Sequence, residues 1–362
     1  MKKILIIGGN SYIGSELTIF LSKFKSYQIT SIDIGFNDDC VFNNHGFLFP
    51  TKKIDVRNLD EKFLQEFEIV VFLAGLSLFL INPITSIKEE DAYEITEKYT
   101  KKIILMCKKN KIKFIFPSSC SVYGKSNTNE LVDENSIVNP ITFYSKNKII
   151  IENFLKEQTN NEFKPIILRL ATVFGFSERM RFDIVANMFV GMAMTTNEIV
   201  LNSNGEAFRP FVYIKDVCKV FKSVIDFIGS NTKCEIFNVG SNYNNIKIIE
   251  LAKLISKILP NTKIKFLNEN IKLDKNLFKD NQIVKNGSDK RNYKVNFNKI
   301  SAKFIDFKNT ITLEKGIYEM IKNLREVNFA LNDFNNINFH RLKKLNYLID
   351  IGKVNKNLEY IN

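Results

Sequence analysis

Apolar residues in the first half of the chain fall into short continuous runs: Ile4–Ile7, Gln28–Asp33, Lys52–Asp55, Ile69–Leu73, Phe114–Phe116 and Pro165–Leu170. Between them, residues 13–24, 59–66, 88–109 and 144–157 carry helical patterns. Short runs without a polar face suit strands buried on both sides. Their alternation with helices predicts an α/β protein built on a doubly wound parallel sheet, with its ligand beyond the carboxyl ends of the strands.

After Arg169 the alternation loosens. Residues 176–206 and 240–325 read as a smaller mixed α/β substrate lobe, and a return near 207–239 completes the main domain of residues 1–175. The polar stretch 271–286 reads as a loop, and 326–362 as a C-terminal extension with a helix near Phe339–Ile351.

Composition narrows the classes. The run after Met1-Lys2-Lys3 stops at Gly8-Gly9, too soon for a secretory signal, and the longest apolar run, Ile69–Ile81, is too short to span a bilayer. A cytoplasmic protein with no membrane partner is expected. Five scattered cysteines suit free thiols, and two histidines make a metal site improbable. The net charge of +13 is spread along the chain rather than clustered, so no nucleic-acid partner is expected. Only eight of the 52 basic residues are arginine, so arginines that recur locally point to places where a planar fork is needed.

The first strand runs into Gly8-Gly9-Asn10-Ser11-Tyr12-Ile13-Gly14 and then a helix. Such a turn lets backbone N–H groups meet a pyrophosphate at a helix N-terminus, the Rossmann arrangement. Ser11 stands where the middle glycine is usual, and its hydroxyl can itself bond phosphate. Asp33 ends the second strand, where a carboxylate accepts from adenosine ribose hydroxyls and repels a 2′-phosphate, favouring NAD over NADP. Asp55 and Val56 follow the next strand as candidate adenine contacts, and Leu73-Ala74-Gly75 offers small residues for close approach of the dinucleotide.

Phe116-Pro117-Ser118-Ser119-Cys120-Ser121-Val122-Tyr123-Gly124, followed by Tyr144-Ser145-Lys146-Asn147-Lys148, resembles the extended short-chain dehydrogenase/reductases, in particular the nucleotide-sugar epimerases and dehydratases. The resemblance covers residues 1–325. Tyr144 and Lys148 share a helix face, and a neighbouring ammonium favours the phenolate of a group that ordinarily titrates near ~10. The resemblance implies that Tyr144 is the base, Lys148 its partner and a ligand of the cofactor, and Ser119 a hydrogen-bond donor to the reacting oxygen. Dehydratases of the family carry an Asp-Glu pair where this chain has Cys120 and Ser121, which disfavours elimination.

The resemblance further implies a diphosphate-sugar site. Arg209-Pro210-Phe211-Val212-Tyr213 and Asp289-Lys290-Arg291-Asn292-Tyr293 look like the family's phosphate-binding motifs. Arg179, Arg181, Asn187 and Thr172 join Ser119 as further substrate contacts, whereas Arg169 reads as structural. The reading reached is an NAD-dependent nucleotide-sugar epimerase acting at C4, expected as a homodimer. A dehydrogenase or 4-ketoreductase, a 4,6-dehydratase and a non-catalytic NAD-binding regulator stay open as alternatives.

Overall fold

The computed structural model describes residues 1–42, 48–75, 89–267, 290–304, 307 and 310–361. In chain order the elements are β1 (Lys2–Ile7), α1 (Tyr12–Ser22), β2 (Tyr27–Asp33), β3 (Thr51–Lys53), α2 (Glu61–Leu64), β4 (Ile69–Phe72), α3 (Glu89–Lys109) and β5 (Lys113–Ser119). Next come α4 (Phe143–Gln158), β6 (Ile166–Leu170), β7 (Thr172–Phe174), α5 (Val185–Thr196), β8 (Glu198–Leu201), β9 (Phe208–Tyr213), α6 (Ile214–Phe227) and β10 (Glu235–Val239). The chain continues through β11 (Asn245–Lys247), α7 (Ile248–Ile258), β12 (Lys263–Phe266), α8 (Asn298–Lys303), α9 (Leu313–Glu326), α10 (Leu331–Asn335) and α11 (Arg341–Asp350). The expected polar loop, 271–286, lies outside the described residues.

Seven parallel strands form the main sheet in the order β10-β6-β5-β4-β1-β2-β3. The period-two geometry of a strand explains the unbroken apolar runs. Ile4 and Ile6 of β1 pack with Leu17 of α1 and Phe221 of α6. Leu5 and Ile7 point the other way, to a core with Ile103 of α3 and Leu155 of α4. Each of these strand residues is essentially inaccessible; truncating one to alanine would cost about 2–5 kcal/mol.

The strand order reverses direction between β1 and β4, and this switch point fixes where a ligand can sit. Two smaller sheets complete the molecule, β11-β9-β7 and β12-β8. Here the structure corrects the sequence reading: β9 pairs with β7 and β11, not with the main sheet. The return to the main sheet is made by β10 alone, beside β6. The pattern of β9 is the same in either sheet, because a strand's partner is a non-local choice.

Candidate active site

Gly8 adopts φ +94°, and a Cβ there would lie 2.6 Å from the Ala74 nitrogen, so the turns after β1 and β4 meet backbone to backbone. A Cβ on Gly14 would fall 2.1 Å from the Gly8 carbonyl oxygen. Ser11 is the N-cap of α1: its Oγ accepts from the Gly14 N–H at 3.0 Å, and its own proton stays available. No acidic residue occupies the first turn of α1, which leaves its positive end open to an anion.

Asp33 is held at the end of β2 by backbone N–H groups, Asn10 onto one carboxylate oxygen at 3.0 Å and Gly35 onto the other at 2.9 Å. Burial pushes its pKa up, and these two bonds work against that shift. Asp55 caps the short turn after β3 and is gripped by Arg57 through Nε and Nη2.

A cavity of about 350 Å³ opens at the switch point. Gly8, Ser11, Tyr12, Ile13, Asp33, Asp55, Val56, Leu73, Ala74 and Gly75 line it. Ser119, Tyr144, Lys148, Thr172, Arg181 and Arg291 line it as well, so residues far apart in sequence meet in one space. Gly14 lies behind this lining, as packing for the turn.

The Tyr144–Lys148 pair owes its place to α4. Thr142 and Ser145 form a reciprocal capping box, with the Ser145 N–H on Thr142 Oγ1 at 3.2 Å and the Thr142 N–H on Ser145 Oγ at 3.1 Å. That box fixes the first turn, which carries Tyr144. Asn147 donates to the Tyr93 carbonyl of α3 at 3.2 Å and locks the helix pair. Lys148 Nζ donates to the Pro117 carbonyl at 2.8 Å and lies 5.6 Å from the Tyr144 ring centroid. Burial lowers the lysine to about 8, and nearby Glu152 opposes that fall. Ser119 ends β5, its Oγ accepting from the Ser121 N–H at 3.1 Å.

Cys120 and Ser121 are both buried. The Cys120 thiol donates to the Arg169 carbonyl and does not line the cavity, and burial pushes its pKa far above the ordinary thiol range. Ser121 is different. It lines the cavity, and its Oγ has no hydrogen-bond partner among the described residues. A buried unsatisfied hydroxyl is costly unless a ligand completes it. The sequence reading missed this residue, treating it only as the absence of a glutamate.

The arginines divide by role. Arg181 lines the cavity, held by a two-pronged pair with Asp183 at 2.9 and 3.0 Å, with its charge in reach of Tyr144. Asn187 is buried off the lining and supports this segment, donating to the Arg181 carbonyl and the Tyr12 hydroxyl. Tyr12 Oη in turn donates to the Gly175 carbonyl at 2.6 Å. Arg209 is also off the lining, where its Nη1 donates to the Arg291 carbonyl.

Arg179 departs from its expected substrate role. Its Nη1 holds the Asn37 and Asp38 carbonyls at 2.7 and 3.2 Å, beside Asp33, and it does not line the cavity. The loop after β2 folds back onto the 179–181 segment, a contact that no local pattern records. Arg169, read as structural, forms a fully buried ion pair with Glu152 and donates to Tyr123 Oη at 3.0 Å.

A glycine turn at the switch point, Asp33 at the second strand end and a Tyr144–Lys148 pair facing one cavity define a short-chain dehydrogenase/reductase. The family model described as NAD dependent epimerase/dehydratase matches residues 4–240, and the chain belongs to that family. It is 28% identical over 284 residues to the bifunctional polymyxin resistance protein ArnA of Wigglesworthia glossinidia brevipalpis, covering 72% of this chain and 41% of that protein. It is 26% identical over 288 residues to the dTDP-D-glucose 4,6-dehydratase of Dictyostelium discoideum, covering 71% and 62%. The matches thus span less than two thirds of each relative's length.

Among solved structures, the NAD-dependent NDP-hexosamine 5,6-dehydratase TunA superposes with a TM-score of 0.72 at 20% identity, over 91% of this chain and 99% of that one. The UDP-glucuronic acid 4-epimerase of Bacillus cereus, with UDP-glucuronic acid and NAD, gives 0.70 at 23% identity, over 90% and 99%. The residues present fit the family's NAD: the Gly8 cradle has no room for a side chain, α1 points an uncharged first turn at the cavity, and Asp33 offers a carboxylate at its edge. No helix among the described residues is long and apolar enough to cross a membrane.

Proposed function

We propose that this protein is an NAD-dependent nucleotide-sugar epimerase that inverts C4 through a transient 4-keto sugar. One observation carries the reading. Ser119, Tyr144 and Lys148 line one cavity, whereas Cys120, where the family's dehydratases carry an acid, is buried off that lining with its thiol on the Arg169 carbonyl.

Bound NAD supplies a hydride acceptor and, in its reduced form, a donor. Tyr144 Oη takes the proton of the C4 hydroxyl as the carbonyl forms, and returns it when the alcohol is remade. Lys148, its ammonium fixed on the Pro117 carbonyl, stabilises the phenolate electrostatically. Ser119 donates to the reacting oxygen, and Ser121 Oγ is satisfied by a sugar hydroxyl. Arg181 and Arg291 hold the diphosphate, for which a permanently charged fork is suited. Arg209 acts through the Arg291 carbonyl as a positioning residue, and Thr172 lies on the sugar.

The B. cereus neighbour is itself a UDP-glucuronic acid 4-epimerase, while other relatives are dehydratases. Position 120, rather than overall identity, is what favours epimerisation. A homodimer belongs to the same proposal. Incubation with UDP-, GDP-, dTDP- and CDP-sugars, with products resolved by NMR, tests it. A C4 epimer is expected, and dehydrated products alone would refute the reading.

A further inference from the structure

The C-terminal extension reaches the nucleotide end of the cavity. Leu345 of α11 and Leu358 line it together with Asp55, Val56 and Arg57. Arg57 joins the two sides. While Nε and Nη2 grip Asp55, Nη1 donates to the Asn357 carbonyl at 2.6 Å and Nη2 to the Leu358 carbonyl at 2.7 Å.

Leu358 adopts φ +59°, a left-handed conformation that leucine rarely takes. Such a residue persists only where its surroundings over-determine it. Here its side chain is buried in a small apolar cluster with Leu345, Leu348 and Ala92. The loop that follows β2 is tied down next to it. Tyr360 Oη donates to the Gly35 carbonyl at 2.9 Å, its ring lies 5.3 Å from that of Phe36, and Lys344 pairs with Asp39.

We infer that the C-terminal extension forms a wall of the adenosine subsite and slows the release of bound NAD. The inference rests on NAD as cofactor and holds for any of the sugar reactions. Opening this wall requires Arg57 to release two carbonyls and Leu358 to leave its cluster.

The test measures cofactor exchange rather than turnover. Full-length wild type and two variants, Leu358→Gly and Tyr360→Phe, are freed of excess nucleotide, and replacement of bound NAD by isotopically labelled NAD is followed by mass spectrometry. Glycine takes the positive φ without strain, so Leu358→Gly removes the side chain while favouring the backbone fold. Wild type should retain NAD through purification. Leu358→Gly should exchange it at least about tenfold faster, the factor expected for loss of one buried leucine contact, and Tyr360→Phe should exchange it by a smaller factor. Exchange at the wild-type rate in a Leu358→Gly variant with an unchanged circular dichroism melt would overturn the inference, as would slower exchange. Should Leu358→Gly fail to fold, Tyr360→Phe decides alone, and an unchanged rate there sinks it.

Discussion

Tyr144 Oη is the one oxygen in the proposed mechanism that must both take and return a proton. Tyr144→Phe keeps the ring packed near Tyr93, at a centroid distance of 6.5 Å, and removes only that oxygen. Turnover should fall by about 10²–10⁴-fold, the usual contribution of a general acid–base group. NAD binding, followed by calorimetry, should be unchanged, and activity within a few-fold of wild type would remove Tyr144 from the mechanism. The pair was legible in the sequence through its motif's resemblance to the family, together with the serine run and the glycine turn, while the four-residue spacing only places both side chains on one helix face. Ser121 and Arg57 were not, since their significance lies in which distant segments they face. Arg179 shows the same limit: sequence places it near Arg181, but its side chain reaches back to Asn37 and Asp38.

The central strands and the helices α1, α3 and α4 follow from periodicity to within a few residues, because burial on both sheet faces leaves no polar interruption. The α4–β6 contact is set instead by charge. Glu152 is wholly buried and accepts from Arg169 Nε and Nη2 and from Ser118 Oγ. Glu152→Gln leaves the guanidinium of Arg169 without its counter-charge, so urea unfolding should show a loss of about 3–5 kcal/mol. A loss below 1 kcal/mol would mean that water or another group compensates.

The extension adds a pH dependence of its own. His340 is buried, and because a carbonyl only accepts, its Nε2–H donates to the Phe334 carbonyl at 2.7 Å. Burial lowers its pKa to about 4, partly offset by that bond. The unfolded chain takes up this proton below about 6.5, whereas the native chain resists it until about 4. Stability is therefore full above the unfolded value and declines as pH falls across that window. Between about pH 7 and pH 5 the loss through His340 should be about 2 kcal/mol. His340→Gln should remove that share of the pH dependence; an identical dependence in wild type and variant would assign the effect elsewhere.

At the scale of the whole molecule, the switch point between β1 and β4 brings the glycine turn, Asp33, the β5 serines and α4 to one cavity, with Arg291 reaching it from the segment before α8. The doubly wound class could be inferred from alternation alone. Which sheet β9 joins, and where the extension lies, could not, because β9 chooses a partner outside its own neighbourhood, Thr172 beside Phe211, and the extension bonds to Arg57 across 301 residues. The central claim is that this arrangement runs a closed redox cycle. The most direct measurement incubates the purified protein with its best nucleotide-sugar and no added nicotinamide, following the reduced-nicotinamide absorbance alongside product NMR. Many turnovers to the C4 epimer with no accumulating NADH are predicted. A keto-sugar formed in step with NADH, or a 6-deoxy-4-keto product, would contradict the account.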